Sequence, residues 1–211
     1  IQTLLKYTFS RQWMVSVGSS GFVSQFGPPQ PGEAFGDPSV SVKYLLAPLT
    51  EKQMAQSLQL SYKIPIGNTV GGINTGKPDV SLTWLGSMKR GHVELDVNVG
   101  LTSLGAPDTR RIQLNTSAAL AVRVARHLYY QGEISRFGSA GPQQGAVVQT
   151  LHALSYNVSP AINVSAGVQY GLSAAAPVRT YIAGIVFYVN PPHAPQSEDK
   201  KPKVGLSELT H

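Results

Sequence analysis

The residues that could do chemistry here are a glycine-rich loop, five histidines and a set of charges spaced two apart. Gly71–Lys77 reads G-G-I-N-T-G-K, the first seven positions of a phosphate-cradling loop, but the eighth is Pro78, where Ser or Thr would reach a magnesium ion. The segment also leads into an alternating stretch instead of opening a helix, so the helix-terminal N–H donors that hold a phosphate are missing. It reads as a glycine-rich surface loop. His92, His127, His152, His193 and His211 show no H-x-x-x-H or H-E-x-x-H spacing, so no metal centre is expected. With no cysteine in the chain, thiolate nucleophiles, disulfide scaffolds and Cys-based metal sites are excluded. Serines are abundant but none sits in a nucleophile elbow. No enzyme activity and no cofactor are expected.

The charges themselves point elsewhere. Lys and Arg number 17 against 11 Asp and Glu, a formal net charge of +6 with a pI near 9.6. The one compact basic run is Lys200, Lys201 and Lys203, with Glu198 and Asp199 beside it. Other basic residues are scattered singly, which argues against a nucleic-acid footprint. Membrane lipid and the phosphates of lipopolysaccharide suit charge dispersed at strand ends better. Charged residues make up only 13% of the chain, about half of the roughly 25% usual for soluble globular proteins. Yet no run approaches the ~18–20 apolar residues of a membrane helix.

The elements that must position these side chains have a period of two. From His92 to Leu101, Val93, Leu95, Val97, Val99 and Leu101 share one face, while His92, Glu94, Asp96, Asn98 and Gly100 share the other. From Arg111 to Val124, Ile112, Leu114, Leu120 and Val122 alternate with Arg111, Gln113, Asn115 and Arg123. The pattern recurs along the chain and predicts about eleven strands, near residues 1–9, 12–18, 38–47, 54–66, 79–87, 92–103, 111–124, 128–137, 146–157, 161–171 and 179–189. Connections alternate between short turns, as at Ser10–Arg11, Met88–Gly91 and Val158–Pro160, and long Gly/Pro-rich loops, as at Ser19–Asp37, Gly67–Pro78 and Leu172–Val178. Short turns at one end and long loops at the other are the habit of up-and-down outer-membrane barrels. Aromatic residues gather at both strand ends, with Trp13, Tyr44, Trp84, Tyr130 and Tyr156 near short turns and Tyr62, Tyr170 and Tyr181 near long loops. Such girdles mark membrane interfaces. The expected fold is an all-β, up-and-down antiparallel transmembrane β-barrel of about twelve strands over residues 1–189.

Eleven strands leave the first without a partner, and the chain starts at Ile1 inside an alternating run. The expectation is that a further N-terminal segment carries a signal and at least one strand. Residues 190–211 form a Pro-rich, charged extension expected on the periplasmic side with the short turns. Through Pro191, Pro192, Lys200 and Lys201 this tail is expected either to bind another protein or to fold back on the barrel mouth.

The inward set would define function. Lys6, Lys43, Lys63, Arg111 and Arg123 face Glu94, Asp96 and Glu133, with Ser, Asn and Gln between them. Lined this way, an open bore would pass polar or weakly anionic solutes. Opposed charges can equally pair and fill a narrow barrel, closing it. His152 is anomalous, since either parity of its strand sets a polar residue outward. A mid-strand bulge would explain it, as would a wall that meets protein instead of lipid.

Gly36–Tyr44 (G-D-P-S-V-S-V-K-Y), Pro65-Ile66-Gly67, Asn74–Asp79 (N-T-G-K-P-D), Leu154–Pro160 and Gly167–Leu172 occur in an order and spacing that resemble an outer-membrane barrel family. That family is labelled "MetA-pathway of phenol degradation". The resemblance covers residues 1–189 and implies an outer-membrane location and passage of hydrophobic or aromatic compounds; it carries over no catalytic residues. The chain departs from the family's pattern in its N-terminus and in the extension after Val189. The reading that follows is a channel or transporter for small solutes, the alternative being a non-conducting barrel that anchors a larger envelope complex.

Overall fold

The computed structural model describes residues 3–19, 22–25, 32–50, 53–67, 76–105, 111–139 and 145–189. Among the described residues thirteen strands occur, in order β1 (Thr3–Thr8), β2 (Trp13–Ser19), β3 (Phe22–Gln25), β4 (Gly32–Phe35), β5 (Pro38–Ala47), β6 (Ala55–Lys63), β7 (Asp79–Arg90), β8 (Val93–Leu104), β9 (Arg111–Arg123), β10 (Leu128–Phe137), β11 (Val147–Ser159), β12 (Ile162–Gly171) and β13 (Arg179–Phe187). Eleven form one antiparallel sheet in the order β1-β2-β5-β6-β7-β8-β9-β10-β11-β12-β13, each paired with the sheet strand before and after it. The short β3 and β4 make a separate hairpin inside the Ser19–Asp37 connection. Sequence patterning left that stretch as a loop, because four-residue strands are too short to show a period.

The predicted strands and the observed ones coincide closely, since β-branched and aromatic residues at every second position fit a pleated surface. Pro38 opens β5, where a missing N–H is tolerated. The turn between β7 and β8 is tight, and Gly91 takes a left-handed φ of 58° there. Two register shifts, at Leu45/Ala47 and Asn157/Ser159, lie beside the short-turn ends.

Burial in this sheet is inverted relative to a soluble protein. The buried polar side chains are Ser16, Ser41, Ser57, Thr102, Ser135, Ser155 and Asp37, and among the described residues no large side chain is fully buried. Each of the six hydroxyl residues among them has an exposed apolar neighbour on its strand: Thr102 is 8% exposed, Leu101 53%. Val17, Val42, Leu58, Leu60, Leu82, Val99, Leu114, Leu120 and Leu154 all lie on the exposed face. Among the described residues no second sheet packs on them, so their face enters no protein core there. A hydrocarbon phase is the solvent that makes such a surface favourable, at roughly 25 cal/mol per Å².

β1 and β13 are the sheet's edges and do not pair with each other among the described residues. Both run from the long-loop end to the short-turn end. An antiparallel closure across this seam takes a strand running the opposite way.

Candidate functional site: the inward face and its outer rim

Register decides which side chains share a face, because successive residues alternate. Along one row of pairs, Lys6, Ser16, Ser41, Ser61, Ser81, Thr102 and Gln113 follow one another from β1 to β9. This row fixes the polar, inward side of β1, β2 and β5 to β9. The pairs Glu133↔Ala119 and Ser135↔Ser117 extend it to β10, and Ser155↔Ser165 joins β11 to β12 on the same side.

The eight charged residues singled out above all take inward positions: Lys6 on β1, Lys43 on β5, Lys63 on β6, Glu94 and Asp96 on β8, Arg111 and Arg123 on β9, Glu133 on β10. Lys6 and Lys43 stand on the β1–β5 half, while Glu94, Asp96 and Glu133 stand on β8 and β10, with Arg111 and Arg123 at the two ends of β9 between them. Asp96 and Glu133 fall in one row, both opposite Ala119. Arg111 lies at the long-loop rim. At the other rim Arg123 turns to His92, with a guanidinium nitrogen 2.6 Å from Nδ1.

The uncharged inward residues satisfy one another sideways. Ser81 and Thr102 hydroxyls are 2.8 Å apart, Asn115 donates to Thr102 at 2.9 Å and Asn98 to Ser117 at 3.0 Å. Gln169 donates to Gln149 at 2.7 Å, and Asn163 donates to Ser155 at 2.8 Å. Each bond runs along the wall between neighbouring strands, so these side chains lie along the sheet. The Ser87 hydroxyl likewise donates to Asp96.

At the outer rim three sequence motifs converge. Lys63 closes the β6–β7 hairpin opposite Asp79, its Nζ 2.7 Å from Oδ2, and lies 3.6 Å from Asp37 Oδ2. The N–H of Gly67 donates to Asp37 Oδ1 at 2.8 Å, and the N–H of Gly105 donates to Asp79 Oδ1 at 2.8 Å. The Gly36-Asp37 strand start, the Pro65-Ile66-Gly67 strand end and the Lys77-Pro78-Asp79 loop end are thus tied through one ammonium group. Sequence reasoning placed Lys63 in the lumen but missed the two aspartates. The hairpin's mirror positions, Lys before the loop and Asp after it, were the available signal. Of the inward charges, Glu94 also pairs, with Lys89 at 3.7 Å. The filled-barrel alternative therefore describes the rim and the β7–β8 turn end. Among the described residues, Lys6, Lys43, Asp96, Arg111 and Glu133 make no ion pair within 4 Å.

On the outward side Trp13, Tyr44, Tyr62, Trp84, Tyr130, Tyr156, Tyr170 and Tyr181 all carry the apolar parity. Trp13 packs on its cross-strand partner Tyr44 with ring centroids 4.6 Å apart, and Trp84 Nε1 donates to Gln56 at 3.4 Å. His152 faces outward as well. Its strand keeps one parity from Val147 to Asn157, so the mid-strand bulge is not present. Its Nδ1 is hydrogen-bonded to the Tyr130 hydroxyl at 2.7 Å. No group of three or more metal-ligating side chains occurs among the described residues. Pro191, Pro192, Lys200 and Lys201, with the rest of the tail, lie outside the described residues, as do Gly71–Thr75 of the glycine-rich loop.

Eleven antiparallel up-and-down strands with polar residues enclosed and apolar residues facing out define the transmembrane β-barrel class. Within it the chain matches the family Phenol_MetA_deg, described as the MetA pathway of phenol degradation, over residues 2–188, and belongs to that family. No curated protein matches it. Among solved structures it is similar to OmpTΔL8, a loop L8 deletion mutant of OmpT, an outer membrane protein of Vibrio cholerae. The two are 16% identical with a TM-score of 0.49, the match covering 88% of this chain and 62% of that one. The chain thus spans less than two thirds of that protein.

Proposed function

We propose that the protein is an outer-membrane channel for small solutes, with its long loops outside and its short turns in the periplasm. The observation that carries this reading is the inward face. Its neutral side chains are bonded along the wall, and five of its charged groups have no ion-pair partner among the described residues. Lys6 and Lys43 on β1 and β5, and Asp96 and Glu133 on β8 and β10 between the rim arginines Arg111 and Arg123 of β9, set a local field along the wall that orients and selects polar solutes in transit. The family's description favours aromatic compounds as cargo. A flat, polarisable solute with one hydroxyl suits a wall of serines and glutamines with a lysine at one side.

The test is conductance of the full-length protein in planar bilayers. Steady ion flow above the lipid background is expected. Reversing charge at Asp96 and Glu133 (D96K/E133K) is expected to move the reversal potential toward anion preference, and K43E toward cation preference. Protein that inserts and passes neither ions nor phenol would refute the proposal.

A further inference from the structure

The inward set does not use the charges on the outer wall. Among the outward positions of the eleven sheet strands, the charged residues are Arg90, Arg136 and Arg179, and no Asp or Glu occurs there. Arg90 ends β7 beside a tight turn. Arg136 and Arg179 lie at the long-loop ends of β10 and β13, on one wall. Neither forms an ion pair among the described residues.

The wall between them is polar in a way the rest of the outer face is not. Ile134, Thr150, Tyr170 and Arg179 follow one another across β10–β13, and Gly132, His152, Val168 and Tyr181 form the next row. The Arg179 guanidinium sits 5.3 Å over the Tyr170 ring and donates to the Tyr181 hydroxyl at 3.3 Å. His152 approaches Tyr170 edge-on with ring centroids 6.4 Å apart. The two imidazole nitrogens of His152 thus both face hydroxyls, Nδ1 that of Tyr130 at 2.7 Å and Nε2 that of Thr150 at 3.5 Å. Gly132, opposite His152, leaves the space Tyr130 uses; a Cβ there would be 3.2 Å from its hydroxyl. Arg179 is therefore held by neutral aromatic groups that leave its charge uncompensated. An outward Arg in hydrocarbon costs about 2–4 kcal/mol at the midplane and little at the interface, so both arginines belong at headgroup depth.

We propose that this wall is a binding surface for the phosphates of outer-leaflet lipopolysaccharide. Arg136 and Arg179 are three strands apart, on the order of 14 Å at the spacing of paired strands. Two separated cations suit a glycolipid with more than one phosphate, and guanidinium is the group that grips a phosphate with two parallel bonds. Thr150, Tyr170 and Tyr181 fill the interval with hydroxyls at the depth of the sugar–acyl boundary. The proposal rests on the outer-membrane placement given above. Its test is separable from that of the channel: conductance without lipopolysaccharide binding refutes this site alone.

The experiment is native mass spectrometry of the full-length protein in detergent, titrated with deep-rough lipopolysaccharide and, separately, with phosphatidylglycerol. R136Q/R179Q is expected to bind lipopolysaccharide at least roughly tenfold more weakly, the floor set by losing one of its charge-assisted hydrogen bonds. R90Q, which removes the same charge at the opposite end, is expected to bind as the parent does. Far-UV circular dichroism and single-channel conductance establish that each variant is folded. Equal binding by parent and R136Q/R179Q would overturn the proposal, as would an equal loss in R90Q. So would phosphatidylglycerol binding as tightly as lipopolysaccharide. A cross-linker placed at position 152 that captures protein in membranes in place of glycolipid would also overturn it.

Discussion

Removing the ammonium group of Lys63 should destabilise the barrel far more than removing that of Lys89, although each lysine is ion-paired. Lys63→Met keeps the aliphatic stem and leaves Asp37 and Asp79 facing each other. Their oxygens lie 3.6 and 2.7 Å from the missing nitrogen, so the two carboxylates are at most about 6 Å apart, and at an effective dielectric of 20 their repulsion is about 3 kcal/mol. The Asp37 side chain is 2% exposed and that of Asp79 15%, so water does little to screen them. Breaking a fully buried pair costs about 3–5 kcal/mol. With Lys63 itself 23% exposed, the expected loss is about 2–4 kcal/mol. The Lys89–Glu94 pair is 56% and 43% exposed, and Lys89→Met should cost about 0–1 kcal/mol. The assay is urea unfolding of the protein refolded into lipid vesicles, followed by tryptophan fluorescence. A triple variant, K63M/D37N/D79N, should recover at least half of the K63M loss, because neutral amides still bond to the Gly67 and Gly105 N–H groups poorly but do not repel. If K63M and K89M lie within 1 kcal/mol of each other, the rim cluster is not the tie described.

Two further substitutions test the facing of the strands. Val99→Arg, on the outward face at the middle of β8, should destabilise the vesicle-inserted protein by about 2–4 kcal/mol, while Asn98→Arg, inward on the same strand, should cost less than half as much; the same urea titration distinguishes them. Gly167→Leu should cost about 1–3 kcal/mol by overpacking, since a Cβ at that inward glycine would stand 2.6 Å from Ala153 Cβ and 2.7 Å from the His152 carbonyl oxygen. Gly91→Ala tests backbone strain alone, because nothing lies within 4 Å of its Cβ position. Its left-handed φ predicts a loss of about 1 kcal/mol.

What could be read from the sequence was what period two encodes. Val93 to Leu101 alternates so strictly that its face and strand limits followed directly, and so did the inward address of Glu94 and Asp96. Pairing between strands was not encoded in that way. That Asp96 and Glu133 share a row, or that Lys63 meets both Asp37 and Asp79, depends on register, which turn lengths and bulges at Leu45/Ala47 and Asn157/Ser159 set one residue at a time. The β3–β4 hairpin escaped notice because Phe22–Gln25 spans only two periods. Arg136 and Arg179 escaped for another reason. Each is a single basic residue at a strand end, and only the order of four strands shows that they flank one wall with Tyr170 and Tyr181 between them.

The two faces carry charge under opposite constraints, and that difference explains their composition. An enclosed aqueous interior holds both signs, because acids and bases there lower each other's field and stay hydrated; Lys6 and Lys43 opposite Asp96 and Glu133 meet that condition. A face in contact with lipid admits charge only where the lipid supplies the counter-ion. In a leaflet whose headgroups are anionic, that sign is positive and that depth is the interface. Arg136 and Arg179 satisfy both conditions at the long-loop end, Arg90 satisfies them at the turn end, and no carboxylate occupies an outward position in the sheet. A soluble sheet exposing the same valines and leucines would have no reason to exclude acids from that surface while keeping arginines at its rims.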